Sequence, residues 1–377
     1  MWNPQHYRRG GENAGISSAA LDAAISQIEL VVRRSPPLPA ILTLRHLALR
    51  ANVEYPILRN IVEESRDSYR SFRMRKRSGG WRHINVPSPI LMSVQRWIAA
   101  HILRLQPVHQ DSFAFAQESS IVKCATRHTD AKWLVKMDIT DFFGSVNEIQ
   151  IYRVFRKLGY QALVSFELAR ICTFRPEVSR RYDQTSWAVW KKRAVISAYQ
   201  QRHLGRLPQG APTSPMLSNL FMRPLDDQIS ALAGEAGLIY TRYSDDLTFS
   251  TRGDYDRRRA MDFVSKVSTV LRFAGLTPHP KKTVIVPPGA RKVVLGLLVD
   301  GSLPRLSREF KNRLRQHIFY LEKRGSFEHA ISREFESLGG LYRHVRGLID
   351  FANMVEPDYA ATQLGRFSRV TWPDGAA

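Results

Sequence analysis

Two stretches of the chain set carboxylates in largely apolar, strand-like surroundings. Residues 242–250 read RYSDDLTFS, with Asp245 and Asp246 side by side, and residues 136–146 read KMDITDFFGSV, with Asp138 where an apolar run ends. Adjacent like charges repel, and converging carboxylates are costly unless protonated or bound to cations. Hard oxygen donors suit Mg²⁺, which keeps waters and also takes phosphate oxygens. Two such ions about 4 Å apart clamp the attacking and leaving oxygens of an in-line phosphoryl displacement. If the two strands are neighbours in one sheet, Asp138 and Asp245 converge. The pair alone is weak evidence, because Asp-Asp at a turn is usually a solvated turn or a cap.

The rest of the composition supplies the opposite charge. The chain has 377 residues, 56 Lys and Arg against 34 Asp and Glu, and a formal net charge of +22. A pI near 10.4 implies an anionic partner, nucleic acid or acidic membrane. No run of about 18 apolar residues favours the membrane, and MWNPQHYRRGGENAG lacks the apolar core of a signal peptide. The two cysteines, Cys124 and Cys172, make no disulfide framework or zinc spacing. A reducing, cytoplasmic setting and a nucleic-acid partner are expected, with no membrane.

The elements that must position the carboxylates follow from pattern. SSAALDAAISQIELVVRR predicts one N-terminal helix before the breaker SPPLP, and residues 42–64 predict two short helices. Residues 69–87, YRSFRMRKRSGGWRHINVP, predict a β-hairpin with a basic tip. Helices are expected over 89–107 and 148–174, and WLVKMDITDFF reads as a strand entering a turn. LPQGAPTSPMLSNLFMRPLDDQIS reads as a Gly/Pro-rich loop feeding a helix, and LIYTRYSDDLTFST as strand, tight turn, strand. Further helix is expected over 256–274 and 307–350, with a strand at KVVLGLLVD. Helices and strands mix without βαβ alternation, which predicts an α+β fold.

These stretches resemble, in order, the motifs of reverse transcriptases, specifically the bacterial retron and defence-associated, group II-like branch. YSDD at 243–246 is similar to the Tyr-x-Asp-Asp box, and DITDFF at 138–143 to the first catalytic-aspartate motif. LPQGAPTSPMLSN resembles the Gln-Gly-x-x-x-Ser-Pro motif, and KRSGGWR at 76–82 the fingers motif. LTPHPKKT at 276–283 and VVLGLLVD at 293–300 resemble later palm motifs, and LYRHVRGLIDFANMVEP at 341–357 a thumb segment. The resemblance implies a right-hand polymerase fold with fingers, palm and helical thumb. Its expected division is an N-terminal helical extension at 1–40 and fingers at 41–130. A palm follows at 131–300, carrying a basic insertion at about 148–206, and then a thumb with tail at 301–377.

The resemblance also implies roles. Asp138, Asp245 and Asp246 match the catalytic, metal-binding triad for two Mg²⁺ ions, with Mn²⁺ as a substitute. Lys76 and Arg82 are placed to neutralise a nucleoside triphosphate, Arg as a fork and Lys as a point charge. Gln209 and Gly210 open a loop that lets backbone approach base or ribose. Phe143, five residues after Asp138, matches the steric gate that excludes a 2′-hydroxyl, although Phe142 is an equal candidate to face the core. Lys281 or Lys282 is placed to protonate pyrophosphate. Tyr243 is expected near the primer end. Arg305, Arg308 and Lys311, with Arg313 and Arg315, are expected to grip the duplex backbone. The segment 175–206, with eight Lys/Arg and Trp187 and Trp190, reads as an RNA-binding insertion or a solvated loop.

The expected activity is RNA-directed DNA synthesis on a structured noncoding RNA, with dNTPs and an RNA–DNA duplex as ligands. An antiviral setting, a separate effector or companion protein and an oligomer also fit. Two boxes depart from the retron pattern: CATRH, Cys124 to His128, stands for Asn-Ala-x-x-His, and Val294-Leu295-Gly296 for Val-Thr-Gly. Those departures keep a non-retron defence lineage open as the alternative. A catalytically silent RNA-binding scaffold is the other, though a scaffold has no need of paired carboxylates. A polymerase that makes RNA on a related palm is disfavoured by Phe143.

Overall fold

The computed structural model describes residues 2–63, 68–75, 79–175 and 204–373. Lys76, Trp187 and Trp190, and nearly all of the basic segment around those tryptophans, lie outside the described residues.

The chain opens with α1 (Pro4–Asn13) and α2 (Ser18–Val32). The first of these was not expected: its sequence, PQHYRRGGEN, is polar and carries two glycines. Asn3 caps it by accepting from the Gln5 and His6 amides, and Pro4 opens its first turn. Next come α3 (Leu44–Arg50) and α4 (Tyr55–Glu63), the expected short pair, parted at Asn52, whose φ is 54°. The basic hairpin forms as β1 (Tyr69–Arg75) and β2 (Trp81–Pro87), in register from Tyr69↔Pro87 to Arg75↔Trp81. Helix α5 (Pro89–Ile98) runs on into a wider π turn at Ala99–Leu103.

Then follow α6 (Ile121–Thr126), β3 (Trp133–Thr140), the single turn α7 (Phe142–Ser145), α8 (Glu148–Lys157) and α9 (Ala162–Cys172). Helix α10 (Ser214–Glu235) leads to the hairpin β4 (Ile239–Tyr243) and β5 (Asp246–Thr251), and α11 (Arg257–Phe273) follows. Short strands β6 (Thr277–Pro278), β7 (Val284–Val286), β8 (Val293–Val294), β9 (Leu297–Leu298) and β10 (Arg305–Leu306) precede the C-terminal helices. Those are α12 (Arg308–Ser332), α13 (Leu338–Val355) and α14 (Pro357–Phe367). The single strand expected at KVVLGLLVD is instead the tight β8–β9 hairpin. Leu295 and Gly296 turn it, with φ of 48° and 85°. Every strand pair whose register is described is antiparallel, in keeping with α+β.

The chain divides into two compact units. The first comprises Met1–Ala116, Asp138–Ala231 and Ser265–Pro280. There Ile139 and Thr140 at the end of β3 pair with Pro278 and Thr277 of β6. The second comprises Gln117–Met137, Leu232–Val264 and Lys281–Ala377. In it β4 pairs with β5, β5 lies beside β3, and Leu134–Lys136 of β3 pair with β7. Its core joins Leu134, Val294, Leu297 and Leu306 to the inner faces of α12, α13 and α14 through Leu314, Ile318, Leu341, Val345 and Phe367. Each such buried aliphatic side chain contributes about 1.5–3 kcal/mol relative to exposure.

Candidate active site

Asp138 lies near the end of β3, followed by the buried Ile139, and is itself 5% exposed. Its carbonyl accepts the His279 amide at 2.7 Å, which fixes the backbone where the carboxylate emerges. Three residues later the chain turns sharply. Asp141 takes a left-handed conformation, φ 46° and ψ 51°, and its carbonyl accepts the Ser145 amide at 2.8 Å. Gly144 packs beneath the Asp141 carboxylate, and a Cβ there would lie 2.3 Å from it and displace it. This turn resolves which phenylalanine faces the core: Phe142 is buried at 4%, and Phe143 is half-exposed.

The paired carboxylates, Asp245 and Asp246, sit on a hairpin with a two-residue turn. Tyr243 pairs with Asp246, so Ser244 and Asp245 form the turn. Ser244 has φ 60°, while Asp245 is not among the positive-φ residues, the pattern of a type II′ turn with serine where glycine is usual. Arg242 stabilises this turn from below. It is fully buried, and its guanidinium donates to the Ser244 carbonyl at 3.1 Å. Asp245 and Asp246 are half-buried, open enough to meet a ligand.

Sequence reasoning treated CATRH only as a departure from a motif, but the structure gives its residues a task. His128, fully buried, places Nε2 2.7 Å from the Thr241 hydroxyl on β4 and Nδ1 2.7 Å from the Ser250 hydroxyl on β5. The Cys124 thiol donates to the same Thr241 hydroxyl at 3.4 Å. Burial depresses the His128 pKa to about 3, so a neutral ring spans the two strands. Burial raises the Cys124 thiol to about 11, with the nearby Asp246 charge adding to the rise. No sequence signal announces this bridge beyond the polar Thr241 and Ser250 on the two strands.

In the first unit, the Gln209-Gly210 loop meets the fingers-like hairpin. The Asn85 amide on β2 donates to the Gln209 carbonyl at 2.8 Å. Gly210 has φ 121°, and a Cβ there would lie 3.0 Å from the Asn85 carbonyl oxygen and 3.1 Å from Ile84. The loop is held from its other side as well. Leu207 donates to the Val146 carbonyl, Arg206 to the Gly144 carbonyl, and the Ser214 hydroxyl to the Pro208 carbonyl. Behind it, Arg170 and Glu148 form an ion pair at 2.8 Å with both side chains fully buried, and Glu148 also accepts the Gly205 amide. The loop, Phe143 and α5 surround a cleft of about 450 Å³, lined among others by Arg96, Phe115, Phe143, Pro208 and Gly210. That volume lies in the range of small-molecule sites, about 300–1,000 Å³.

The other expected contacts lie on separate elements. Arg82 is exposed on β2, opposite Met74. Lys281 is exposed in the single 3₁₀ turn Pro280–Lys282. Arg305, Arg308 and Lys311 line, with Arg315, a second cavity of about 230 Å³. Lys311 also pairs with Glu356 at 2.5 Å and lies 5.1 Å from the centre of the Tyr359 ring. Among the described residues, no three His, Cys, Asp or Glu side chains are grouped closely enough to form a metal cage, and no helix is long and apolar enough to cross a membrane.

Comparison with known proteins agrees with the order of these motifs. The reverse transcriptase (RNA-dependent DNA polymerase) family profile matches residues 74–299. The Mx162 retron reverse transcriptase of Myxococcus xanthus is 33% identical over 77% of this chain and 58% of its own length. The Ec86 retron reverse transcriptase of Escherichia coli is 28% identical over 88% of this chain and 95% of its own. The Mx65 retron reverse transcriptase of Myxococcus xanthus is 30% identical over 78% of this chain and 62% of its own. The chain thus spans about three-fifths of the length of both Myxococcus relatives and nearly all of the Escherichia one. A turn that presents two carboxylates, a buried aspartate at a strand end and a phenylalanine-lined cleft thus occur within a sequence match covering most of the chain, and the chain belongs to the reverse transcriptase (RNA-dependent DNA polymerase) family, as a bacterial retron-type member.

Proposed function

We propose that this chain is an RNA-directed DNA polymerase that copies a dedicated, structured noncoding RNA by two-metal nucleotidyl transfer, in a retron serving antiviral defence. The observation that carries the reading is the Tyr243–Asp246 hairpin: two carboxylates on a tight turn whose strands are cross-linked from behind by His128 and whose tip is held by Arg242. Asp138, on the fixed end of β3, supplies the third carboxylate of the family's pattern.

The donor set fits Mg²⁺. It is all carboxylate, with no thiolate or imidazole, and Mg²⁺ is usually held by one or two carboxylates plus waters and substrate phosphates, not by a closed protein cage. When bound, the ions would lower the pKa of the primer 3′-hydroxyl and offset charge on the triphosphate. Asp138 and Asp245 are the direct ligands in this reading, and Asp246 orients them or meets the primer end. Phe143 excludes the 2′-hydroxyl, and Gln209-Gly210 brings backbone against the nucleotide. Lys76, Arg82 and Lys281 balance phosphate charge, Tyr243 packs at the primer terminus, and Arg305, Arg308 and Lys311 hold the duplex backbone. The division into fingers, palm and thumb belongs to the same proposal.

Sequencing the nucleic acid that co-purifies with the full chain tests it. DNA complementary to part of one bound RNA, joined to it as a branched hybrid, is the expected product. RNA with no complementary DNA would contradict RNA-directed synthesis. Unbranched, repetitive or protein-linked DNA would contradict the retron assignment while leaving polymerase activity standing.

A further inference from the structure

Phe115 is the residue of the cleft that neither the motifs nor the family pattern brought forward. Phe115 is 48% exposed. Its backbone is left-handed, φ 58°, a conformation that a bulky residue adopts only when its surroundings impose it. Those surroundings are visible. Ala114, directly before it, is fully buried, and its carbonyl accepts the Asn219 side-chain amide at 2.8 Å. Asn219 is itself fully buried on α10 and accepts the Ser112 hydroxyl at 3.1 Å. Ser112 and Asn219 thus anchor the chain just before Phe115, and the strained residue holds its ring out of the core.

The ring then faces the gate. The Phe115 and Phe143 ring centres are 6.5 Å apart and tilted by 48°, inside the range for aromatic pairs. Both line the 450 Å³ cleft, with Arg96 as the cation in its lining. An aromatic pair beside a guanidinium suits a flat ring and a sugar that carry phosphate.

We propose that Phe115 is a second nucleotide-selecting ring, which packs on the nucleoside of the incoming dNTP and backs Phe143, so that the two rings together set sugar discrimination. The proposal rests on the polymerase reading above and deepens it. Backbone strain of this kind clusters at ligand-binding positions, and here it coincides with a ring exposed in a cleft.

The test is single-nucleotide incorporation by the purified full chain with its co-purified RNA, measuring kcat and KM for a dNTP and its rNTP, with thermal midpoints alongside. The variants are Phe115→Ala, Phe115→Gly, Phe143→Ala and the Phe115→Ala, Phe143→Ala double. Phe115→Ala is expected to raise the dNTP KM about tenfold, more than it lowers kcat, and to reduce dNTP-over-rNTP selectivity. Phe115→Gly should show the same KM defect with a midpoint no lower than wild type, since glycine takes the left-handed backbone without strain. That separation of binding from stability would not follow from a merely structural ring. The selectivity loss at Phe115 should shrink when Phe143 is already alanine, as expected for side chains in contact.

If Phe143→Ala admits rNTPs while both Phe115 variants keep wild-type KM and selectivity, the Phe115 proposal is overturned and the gate stands. If Phe143→Ala also leaves selectivity unchanged, the two-ring account falls with the gate. If wild-type protein incorporates no dNTP, the polymerase reading itself fails, and the proposal with it.

Discussion

His128 and Thr241 are joined by a 2.7 Å hydrogen bond between the imidazole Nε2 and the hydroxyl, and that bond ties the chain after α6 to the strand leading into Tyr243–Asp246. The other ring nitrogen reaches Ser250 at the same distance, so one neutral histidine clamps both strands of the carboxylate hairpin. The carboxylates are thereby presented on a rigid turn, as a site requiring sub-ångström placement demands.

Removing the clamp should loosen the hairpin. His128→Ala leaves a cavity and two buried hydroxyls short of a partner, which together cost about 2–4 kcal/mol. Denaturant unfolding monitored by circular dichroism checks this, and a loss under about 0.5 kcal/mol would count against the clamp.

Acid should destabilise the fold through the same ring. The His128 pKa is depressed by burial from 6.5 to about 3, and that of His317 to about 4, by burial and by the neighbouring His329, His344, Arg333 and Arg313. Between those values and 6.5 the unfolded chain binds protons that the folded chain does not, so stability falls as pH drops through this window. Thermal midpoints measured from pH 7 to pH 4 should decline, and the decline should be shallower in His128→Asn at matched reference pH. An identical slope in the variant would remove His128 from the explanation.

The buried ion pair behind the Gln209-Gly210 loop makes a sharper prediction. Arg170→Met strands the Glu148 carboxylate in a fully buried position, where breaking such a pair costs about 3–5 kcal/mol. Glu148 also holds the Gly205 amide, so cleft activity should fall along with stability. Chemical unfolding of the variant measures the first effect, and nucleotide KM the second.

Gly210 should tolerate no side chain. Gly210→Ala forces a Cβ to within about 3 Å of the Asn85 carbonyl at a backbone angle unsuited to alanine, a strain on the order of 1–3 kcal/mol. The hairpin β1–β2 would have to shift away from the loop. The expected result is a raised dNTP KM and easier proteolysis within residues 69–87; wild-type behaviour in both would contradict this contact.

Much of the site was legible because it is local. The hairpin at RYSDDLTFS and the strand before Asp138 each follow from a few neighbouring residues whose types admit few conformations. At Gly210 the close approach was expected to a base or ribose, whereas the missing side chain makes room for Asn85 and Ile84 of β2. The choice between Phe142 and Phe143 was open in the sequence, since both suit a core; after the left-handed turn at Asp141 the chain buries Phe142 and leaves Phe143 in the cleft. What sequence could not reveal is long-range. The bonds from His128 to Thr241 and Ser250 span 113 and 122 positions, and that from Asn219 to Ala114 spans 105. Nothing in CATRH or DSFAF announces such partners. The expected strand at KVVLGLLVD failed for a local reason: its aliphatic run hides a turn at Leu295-Gly296 that sets Val293 and Val294 against Leu298 and Leu297.

Primer extension on an RNA template, with Mg²⁺ and dNTPs, tests the central claim most directly. The wild-type chain with its co-purified RNA should extend the primer, and Asp245→Ala, Asp246→Ala should abolish extension while still binding that RNA. Extension by the double variant at the wild-type rate would contradict the role assigned to the hairpin carboxylates and with it the account of this chain as a polymerase that works through them.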